Sequence, residues 1–271
     1  MNEFIDTFLA KFCAIKNIGD KNFCLKNLSF LTKDYAKFLE KMYSFIKKQK
    51  EVVSMLDFKI VSSSGDSLII IYPNIVFKIF NPIFIDKVKN EVKYSKMFSP
   101  YVINILDAEH SDDIAIIAYE KVQPLNLKTK NLKASDLLLL IKDVGEALDS
   151  LMLKGYEHGD PGHTNIAFSP RLNRYILIDI EDIKAKDASE NFDLHYFIED
   201  LKIHLNKNSS NDENEDPQIK NILDKLLKKI EMDWYKVKEE EITFLGKKKK
   251  RIHTISEYKP GDLSKILQKS L

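Results

Sequence analysis

Hydrophobic side chains in the first 50 residues recur every three or four positions, the spacing of an amphipathic helix. One such run lies within residues 2–16 and a second within residues 33–50. The apolar positions are Phe4, Ile5, Phe8, Leu9 and Phe12 in the first run, and Tyr35, Phe38, Leu39, Met42, Tyr43 and Ile46 in the second. The pattern predicts a helical N-terminal extension over residues 1–50 that packs on the following segment and carries no chemistry of its own.

The hydrophobic pattern changes between residues 57 and 80. The stretches DFKIVSSS, SLIIIY and IVFKIF are short, rich in Ile and Val, and separated by Ser-Gly-Asp and Pro-Asn. Such runs are typical of antiparallel strands joined by turns. A helix is predicted over residues 84–98, and two more strands in YVINILDA and DDIAIIAYEKV. Residues 51–122 are therefore predicted to form a small lobe with five antiparallel strands and one helix.

Residues 123–271 are predicted to form a second, mainly helical lobe. Its first helix covers residues 135–154, with Ser135 or Asp136 as the N-cap and Gly155 just past the C-terminal end. The chain as a whole is thus assigned to the α+β class, with a two-lobed architecture.

Four more segments complete the prediction for this second lobe. A helix is expected over residues 192–205, and the polar sequence KNSSNDENEDP predicts a mobile loop near residues 207–217. Residues 218–240 are predicted to form one helix or two. Residues 242–271 are predicted to form a short β-like piece and a last helix.

Composition narrows the classes of function. The chain has 271 residues, of which 44% are hydrophobic and 31% are charged, with a net charge of +1. The near balance of charge gives no electrostatic reason to expect a nucleic acid or an anionic membrane as partner. The basic run at residues 247–251 is interpreted as a solvated turn or hairpin tip. No stretch approaches the roughly 18 apolar residues that a membrane-spanning helix needs.

The two cysteines, Cys13 and Cys24, lack the spacing of a metal site. A disulfide framework is not expected from so few cysteines, so a reducing compartment is predicted. The N-terminus carries Glu3 and Asp6 in place of a basic segment, which argues against a signal peptide. A cytoplasmic location is predicted on these grounds.

The strongest chemical pattern lies between residues 158 and 182. Residues 158–165 read His-Gly-Asp-Pro-Gly-His-Thr-Asn, and a predicted strand then leads to Ile-Asp-Ile-Glu-Asp. Phosphoryl transfer from ATP needs a group that orients the attacking hydroxyl and hard oxygen ligands that hold magnesium. Asp160 is the candidate base or orienting group. Asn165 and Asp179 are the candidate magnesium ligands.

A second pattern lies upstream. Lys78 interrupts the apolar strand IVFKIF, and a lysine there needs a partner or a ligand phosphate that compensates its desolvation. Glu91 follows on the inward face of the next predicted helix, with Asp86 as a weaker rival. A strand lysine paired with a helix glutamate is how a kinase holds the phosphates of ATP.

These motifs together resemble the protein-kinase-like superfamily over roughly residues 57–205. Within it, the sequence is most similar to atypical branches, namely the lipopolysaccharide core heptose kinases and the aminoglycoside/choline-kinase-like phosphotransferases. The resemblance is carried by VFKIFNP at 76–82, HGDPGHTN at 158–165 and LIDIED at 177–182. It implies an ATP- and Mg²⁺-dependent phosphotransferase (a kinase) with ATP in the cleft between its lobes.

The resemblance also implies individual roles. Lys78 would bind phosphates and pair with Glu91, while Asp160 would be the catalytic base. Adenine would bond backbone groups of a hinge at residues 118–122, which include Glu120 and Val122. The nucleotide-covering loop would be residues 62–67, with Ser64 and Gly65 at its centre.

His158 would anchor the catalytic loop, and His163 is equally compatible with a ligand contact and a structural role. Asp193 would be a helix N-cap or, as in kinases, a hydrogen-bond partner of the catalytic-loop backbone.

Three departures from ordinary protein kinases bear on the acceptor. The candidate nucleotide loop at residues 62–67 has only one glycine. In the 158–165 motif, Gly162 occupies the position where protein kinases carry a lysine. Asp179-Ile180-Glu181 replaces Asp-Phe-Gly, and no Ala-Pro-Glu motif follows it. The hydroxyl of a saccharide or small molecule is therefore favoured over that of a protein. A divergent protein serine/threonine kinase and a pseudokinase that acts as a binding module are the alternatives.

Overall fold

The computed structural model describes residues 1–15, 34–62, 67–125, 127, 133–186, 191–209, 217–229, 235–244 and 247–270. They divide into two compact units. Unit 1 comprises Met1–Ser99 and Ile103–Lys121, and unit 2 comprises Pro100–Val102 and Val122–Leu271. Both helices and sheets are present, with a five-stranded antiparallel sheet in unit 1, so the predicted α+β class is confirmed.

Unit 1 follows the predicted order of elements. Helices α1 and α2 precede three strands, and helix α3 separates these from the last two strands. The elements are α1 (Asn2–Ile15), α2 (Tyr35–Lys47), β1 (Lys59–Ser62), β2 (Ser67–Ile71), β3 (Ile75–Phe80), α3 (Ile85–Phe98), β4 (Ile105–Ser111) and β5 (Ile114–Glu120). The sheet has the order β1-β2-β3-β5-β4 with antiparallel neighbours throughout, so β3 lies at its centre.

The N-terminal helices share one apolar core with this sheet. Phe4 and Phe8 of α1 and Phe45 of α2 are buried together with Phe58 and Phe77. Phe45 and Phe77 meet edge to face with ring centroids 6.1 Å apart. Each such side chain contributes about 1.5–3 kcal/mol by leaving water. The predicted packing of residues 1–50 on the following segment is confirmed over the residues that the structure describes.

Unit 2 contains four helices and several short strands among its described residues. They are β6 (Gln123–Pro124), α4 (Ala134–Leu153), β7 (Tyr156–Glu157), β8 (Ile166–Ser169), β9 (Arg174–Leu177), β10 (Lys184–Ala185), α5 (Asp193–Ser209), α6 (Pro217–Lys229), β11 (Tyr235–Phe244), β12 (Lys247–Ser256) and α7 (Asp262–Ser270). Strands β6, β8 and β9 form one small sheet, and β7 pairs with β10. These short strands frame the segment that contains the His-Gly-Asp motif.

The helix predicted at 135–154 is present as α4, but its N-terminus differs from the prediction. Its N-cap is Lys133, whose side chain forms no capping hydrogen bond, so the assignment of Ser135 or Asp136 as the cap is wrong. The chain enters the helix two or three residues earlier than the polar residues suggested. At the other end Gly155 has φ of +76°, a conformation that glycine adopts without strain.

The C-terminal prediction is correct for the last helix and wrong for residues 235–240. These residues belong to β11, which pairs antiparallel with β12 over its whole length. The register sets Glu240 opposite Arg251 and Glu241 opposite Lys250. Pairing of opposite charges across strands stabilises a sheet and here overrides the helix preference of Lys and Glu.

The basic run at 247–251, which was predicted to be a turn or hairpin tip, is instead part of strand β12. Residues 207–209 of the predicted loop continue α5, and residues 210–216 lie outside the described residues.

The expectation of reduced cysteines is wrong for Cys13, which is disulfide-bonded. Sequence spacing excluded a multi-disulfide framework but carried no information about which residues come close in space. Cys24 lies outside the described residues. Among the described helices, none combines the length and apolar character that crossing a membrane requires.

Candidate functional site

In unit 1 the two charged residues singled out from the sequence are in contact. Lys78 Nζ lies 3.1 Å from Glu91 Oε1. The side chain of Lys78 is 12% exposed and that of Glu91 is 1% exposed. The hydroxyl of Tyr119, on β5, donates a hydrogen bond to the other carboxylate oxygen of Glu91. Glu91 is thus a buried carboxylate with a cation on one oxygen and a hydroxyl donor on the other, as burial of a charge requires.

The strand and helix that carry this pair are fixed by their neighbours. Lys78 lies on the central strand β3, opposite Ile69 of β2 and Ile117 of β5. On α3, Glu91 lies between Val88 and Ser95 on the buried face. The hydroxyl of Ser95 donates to the carbonyl of Ile103 at 2.8 Å, which ties the helix to the segment leading into β4. Asp86, the weaker rival of Glu91, instead pairs with Lys89 at the surface.

In unit 2, Asp193 holds the beginning of the catalytic-loop candidate. Its carboxylate accepts hydrogen bonds from the backbone N–H of His158 at 2.6 Å and of Gly159 at 3.1 Å. This is the second of the two roles that the sequence left open for Asp193. Burial raises the pKa of Asp193, while the hydrogen bonds from the two backbone N–H groups oppose that shift. Gly159 has φ of +84°, so the turn here uses the conformational freedom of glycine.

Asp160 and Asn165 are joined across the loop. The Asn165 amide nitrogen donates to the backbone carbonyl of Asp160 at 2.9 Å and to its carboxylate at 3.0 Å. Tyr196, on α5, lies close to the Asp160 carboxylate, and both side chains border Gly162. Partial burial and the nearby carboxylate of Asp160 raise the pKa of Tyr196. The Asp160 side chain is thus exposed, and its carboxylate accepts a hydrogen bond from Asn165.

Asp179 comes back to the same loop at the end of β9. The backbone N–H of Ile178 donates to the carbonyl of Asn165 at 2.9 Å. The Nε2 atom of His158 lies 3.0 Å from the carbonyl oxygen of Ile178. The predicted anchoring role of His158 thus has a defined partner. Asp179 itself is in the left-handed region with φ of 58°, a strained conformation for a residue other than glycine. Such strain occurs often at functional sites.

The oxygen atoms that this loop offers are of the type that binds a magnesium ion. The Asn165 amide nitrogen is committed to Asp160, so the amide oxygen is the atom that could meet a cation. Asp179 adds an exposed carboxylate on the segment hydrogen-bonded to Asn165. Amide and carboxylate oxygens are the hard ligands that Mg²⁺ takes from proteins.

The remaining predicted site residues have simpler positions. Glu120 is buried at the end of β5, and Val122 is buried at the start of the main segment of unit 2. Ser64 and Gly65 lie outside the described residues. The roles of these four residues in nucleotide binding stay predictions.

Four side chains near these motifs were missed by sequence reasoning. Tyr119 contacts Glu91, Tyr196 lies close to Asp160, and Asp200 and His204 contact His163. For Asp200 and His204 a signal existed, since residues four apart on a helix share a face. Tyr119 and Tyr196 had no local signal, because each meets its partner only through tertiary contact.

Comparison with known proteins yields structural similarity alone. The sequence matches no protein-family model, and no curated protein matches it. Among solved structures, it is similar to the bifunctional kinase-methyltransferase WbdD at 18% identity, over 45% of this chain and 31% of that one, with a TM-score of 0.36.

Two further structures of WbdD give similar figures. A monomeric form matches at 15% identity over 53% of this chain and 37% of that one, with a TM-score of 0.39. A co-crystal with a kinase inhibitor matches at 17% identity over 48% and 34%, with a TM-score of 0.36. The chain thus spans about a third of the length of these structures.

Proposed function

We propose that the protein is an ATP- and Mg²⁺-dependent phosphotransferase that moves the γ-phosphoryl group of ATP to an acceptor hydroxyl. The observation that carries the proposal is the hydrogen-bonded loop in which Asp160, Asn165 and the segment of Asp179 are tied together. The buried Lys78–Glu91 pair in unit 1 supports it independently. Both features are the parts that kinases use for phosphoryl transfer.

In the proposed reaction, Asp160 orients the acceptor hydroxyl and accepts its proton as the oxygen–phosphorus bond forms. The hydrogen bond from Asn165 keeps the carboxylate in position for this task. Lys78, held by Glu91, neutralises charge on the ATP phosphates. Magnesium, bound by Asn165 and Asp179, would supply charge neutralisation on the transferred group. The bond from the γ-phosphorus to the bridging oxygen of ADP breaks as the new bond forms.

The acceptor that we propose is a saccharide or small-molecule hydroxyl. Gly162 takes the place of the lysine found in protein kinases, and a Cβ at this position would lie 3.6 Å from both Asp160 Oδ1 and Asp200 Oδ2. Only 13 residues separate Asp179 from Asp193, where α5 begins. That length leaves little chain for the peptide-binding segment that a protein kinase needs.

Thermal unfolding with nucleotide tests the proposal directly. ATP with Mg²⁺ should raise the Tm, because a ligand at 100 times its Kd stabilises the folded state by about 2.7 kcal/mol. Asp179→Asn should lose the Mg²⁺-dependent part of the shift, whereas Asp182→Asn, also exposed, should keep it. The absence of any shift at millimolar MgATP would contradict the proposal.

Transfer of labelled phosphate from ATP then identifies the acceptor class. Saccharides, aminoglycosides and generic protein substrates should be offered side by side. Incorporation into a saccharide or small molecule is the expected result. Incorporation into protein alone would contradict a small-molecule acceptor and indicate a protein serine/threonine kinase. Nucleotide binding without transfer to any acceptor would favour a pseudokinase.

A further inference from the structure

A cluster of two imidazoles and one carboxylate lies beside the catalytic-loop candidate and has no part in the proposed reaction. His163 belongs to the loop, while Asp200 and His204 lie one turn apart on α5. Their potential ligand atoms all lie within 4.8 Å of one another, and all three residues are half-buried. We propose that His163, Asp200 and His204 form a binding site for a borderline divalent cation such as Zn²⁺.

The distances within the cluster match a tetrahedral site with little rearrangement. Asp200 Oδ2 lies 2.8 Å from His163 Nδ1, and Asp200 Oδ1 lies 3.2 Å from His204 Nδ1. The two imidazole rings are 4.0 Å apart between centroids. Ligand atoms bound to zinc at about 2.0–2.1 Å in a tetrahedron are about 3.3 Å from each other. The two carboxylate–imidazole separations, 2.8 and 3.2 Å, lie slightly below that value, so a bound cation would need these side chains to move apart by about 0.5 Å or less.

The kind of ligand decides which metal the cluster would take. Two imidazoles and a carboxylate are the donor set of zinc sites that keep a fourth position for water or substrate. Magnesium prefers oxygen ligands and retains its waters, so imidazoles select against it. The cluster therefore differs in chemistry from Asn165 and Asp179, the oxygen donors assigned to magnesium.

The structure also supports Asp200 with a contact that would orient it toward a metal. The backbone N–H of His163 donates to Asp200 Oδ2 at 2.7 Å. Hydrogen bonds of this kind hold a ligating carboxylate in place and raise the affinity of metal sites. A cation bound here would link the loop at His163 to helix α5 through coordinate bonds, in addition to the present hydrogen bonds.

Titration of the tag-free, full-length protein with Zn²⁺ or Co²⁺ tests this proposal without ATP. After removal of metal by a chelator, competition with a chelating dye should reveal one Zn²⁺ per chain. Co²⁺ should give the visible d–d bands of a four-coordinate site. His163→Gln and His204→Gln should each weaken binding by about tenfold or more, since even the loss of a group that only supports a ligand has such an effect.

His195→Gln is the matched control, because His195 lies on the same helix, is half-buried, and is not part of the cluster. It should leave the affinity unchanged, as should Asp179→Asn, which removes a proposed magnesium ligand. Far-UV circular dichroism checks that each variant is folded, and His204→Gln alone decides the matter if His163→Gln does not fold. Binding that is equally strong in His204→Gln, or equally weakened in His195→Gln, would overturn the proposal whether or not the protein is a kinase.

Discussion

The Nζ atom of Lys78 lies 3.1 Å from Oε1 of Glu91, and the two side chains are 12% and 1% exposed. A cation–carboxylate pair at this depth behaves differently from one at the surface. Water screens these charges little, so the loss of one partner leaves the other buried without its counter-charge. The pair is therefore both a structural element of unit 1 and the proposed phosphate-binding element.

Lys78→Met should destabilise the protein strongly. The substitution leaves the Glu91 carboxylate buried without its cation, which costs about 3–5 kcal/mol in such cases. Lys89→Met is the control, because Lys89 pairs with Asp86 at the surface, where an ion pair contributes about 0–1 kcal/mol. Urea unfolding at neutral pH measures both changes. Equal and small losses in the two variants would show that Glu91 is not desolvated as the structure has it.

Asp160→Asn should reduce kcat by about 10²–10⁴-fold, because the proposed general base is lost. Nucleotide affinity should change little, since Asp160 is not assigned to ATP or magnesium. Steady-state kinetics and a nucleotide titration separate the two quantities. Tyr196→Phe is the informative companion, since it removes a hydroxyl close to the Asp160 carboxylate. It should give a smaller loss in kcat, and full turnover in Asp160→Asn would remove that residue from its role.

Asp193→Asn should destabilise the catalytic-loop candidate by about 1–3 kcal/mol. An asparagine offers one acceptor oxygen to the two backbone N–H groups of His158 and Gly159, so one of them loses its partner. Glu199→Gln, an exposed change on the same helix, should be close to neutral. Chemical unfolding and hydrogen exchange at residues 158–165 measure the effect. Unchanged protection of those amides would contradict this role of Asp193.

Because of the buried Tyr258 hydroxyl, the free energy of unfolding should fall as the pH rises in the alkaline range. Burial, together with the neighbouring carboxylate of Asp149, raises the pKa of Tyr258 well above its ordinary value near 10. Above about pH 10 the unfolded chain loses this proton while the folded protein keeps it, so the free energy of unfolding falls with rising pH. The slope approaches about 1.4 kcal/mol per pH unit for one such group.

Tyr258→Phe should reduce that slope. Burial also raises the pKa of Tyr72, so Tyr72→Phe should reduce the slope as well, and the double variant should reduce it further. The measurement is urea unfolding at several pH values between about 9 and 11. A slope in Tyr258→Phe equal to that of the wild type would contradict the assignment.

The sequence by itself determined most of the elements of unit 1 and the candidate residues of the loop. The three-to-four-residue spacing of α1 and α2 and the Ile- and Val-rich strands are local signals, so their prediction needed no knowledge of the fold. Lys78 was conspicuous because a charge interrupts an apolar strand. Asp160, Asn165 and Asp179 were conspicuous because their types and order suit phosphoryl transfer.

Only the tertiary structure decided the contacts between distant positions. Nothing in the local pattern brings Tyr119 to Glu91 or His204 to His163, because those encounters depend on how strands and helices pack. The pairing of β11 with β12 overrode local helix propensity for the same reason, since its stabilisation comes from a partner strand. Periodicity along the chain specifies the face of each element, whereas long-range packing selects what that face meets.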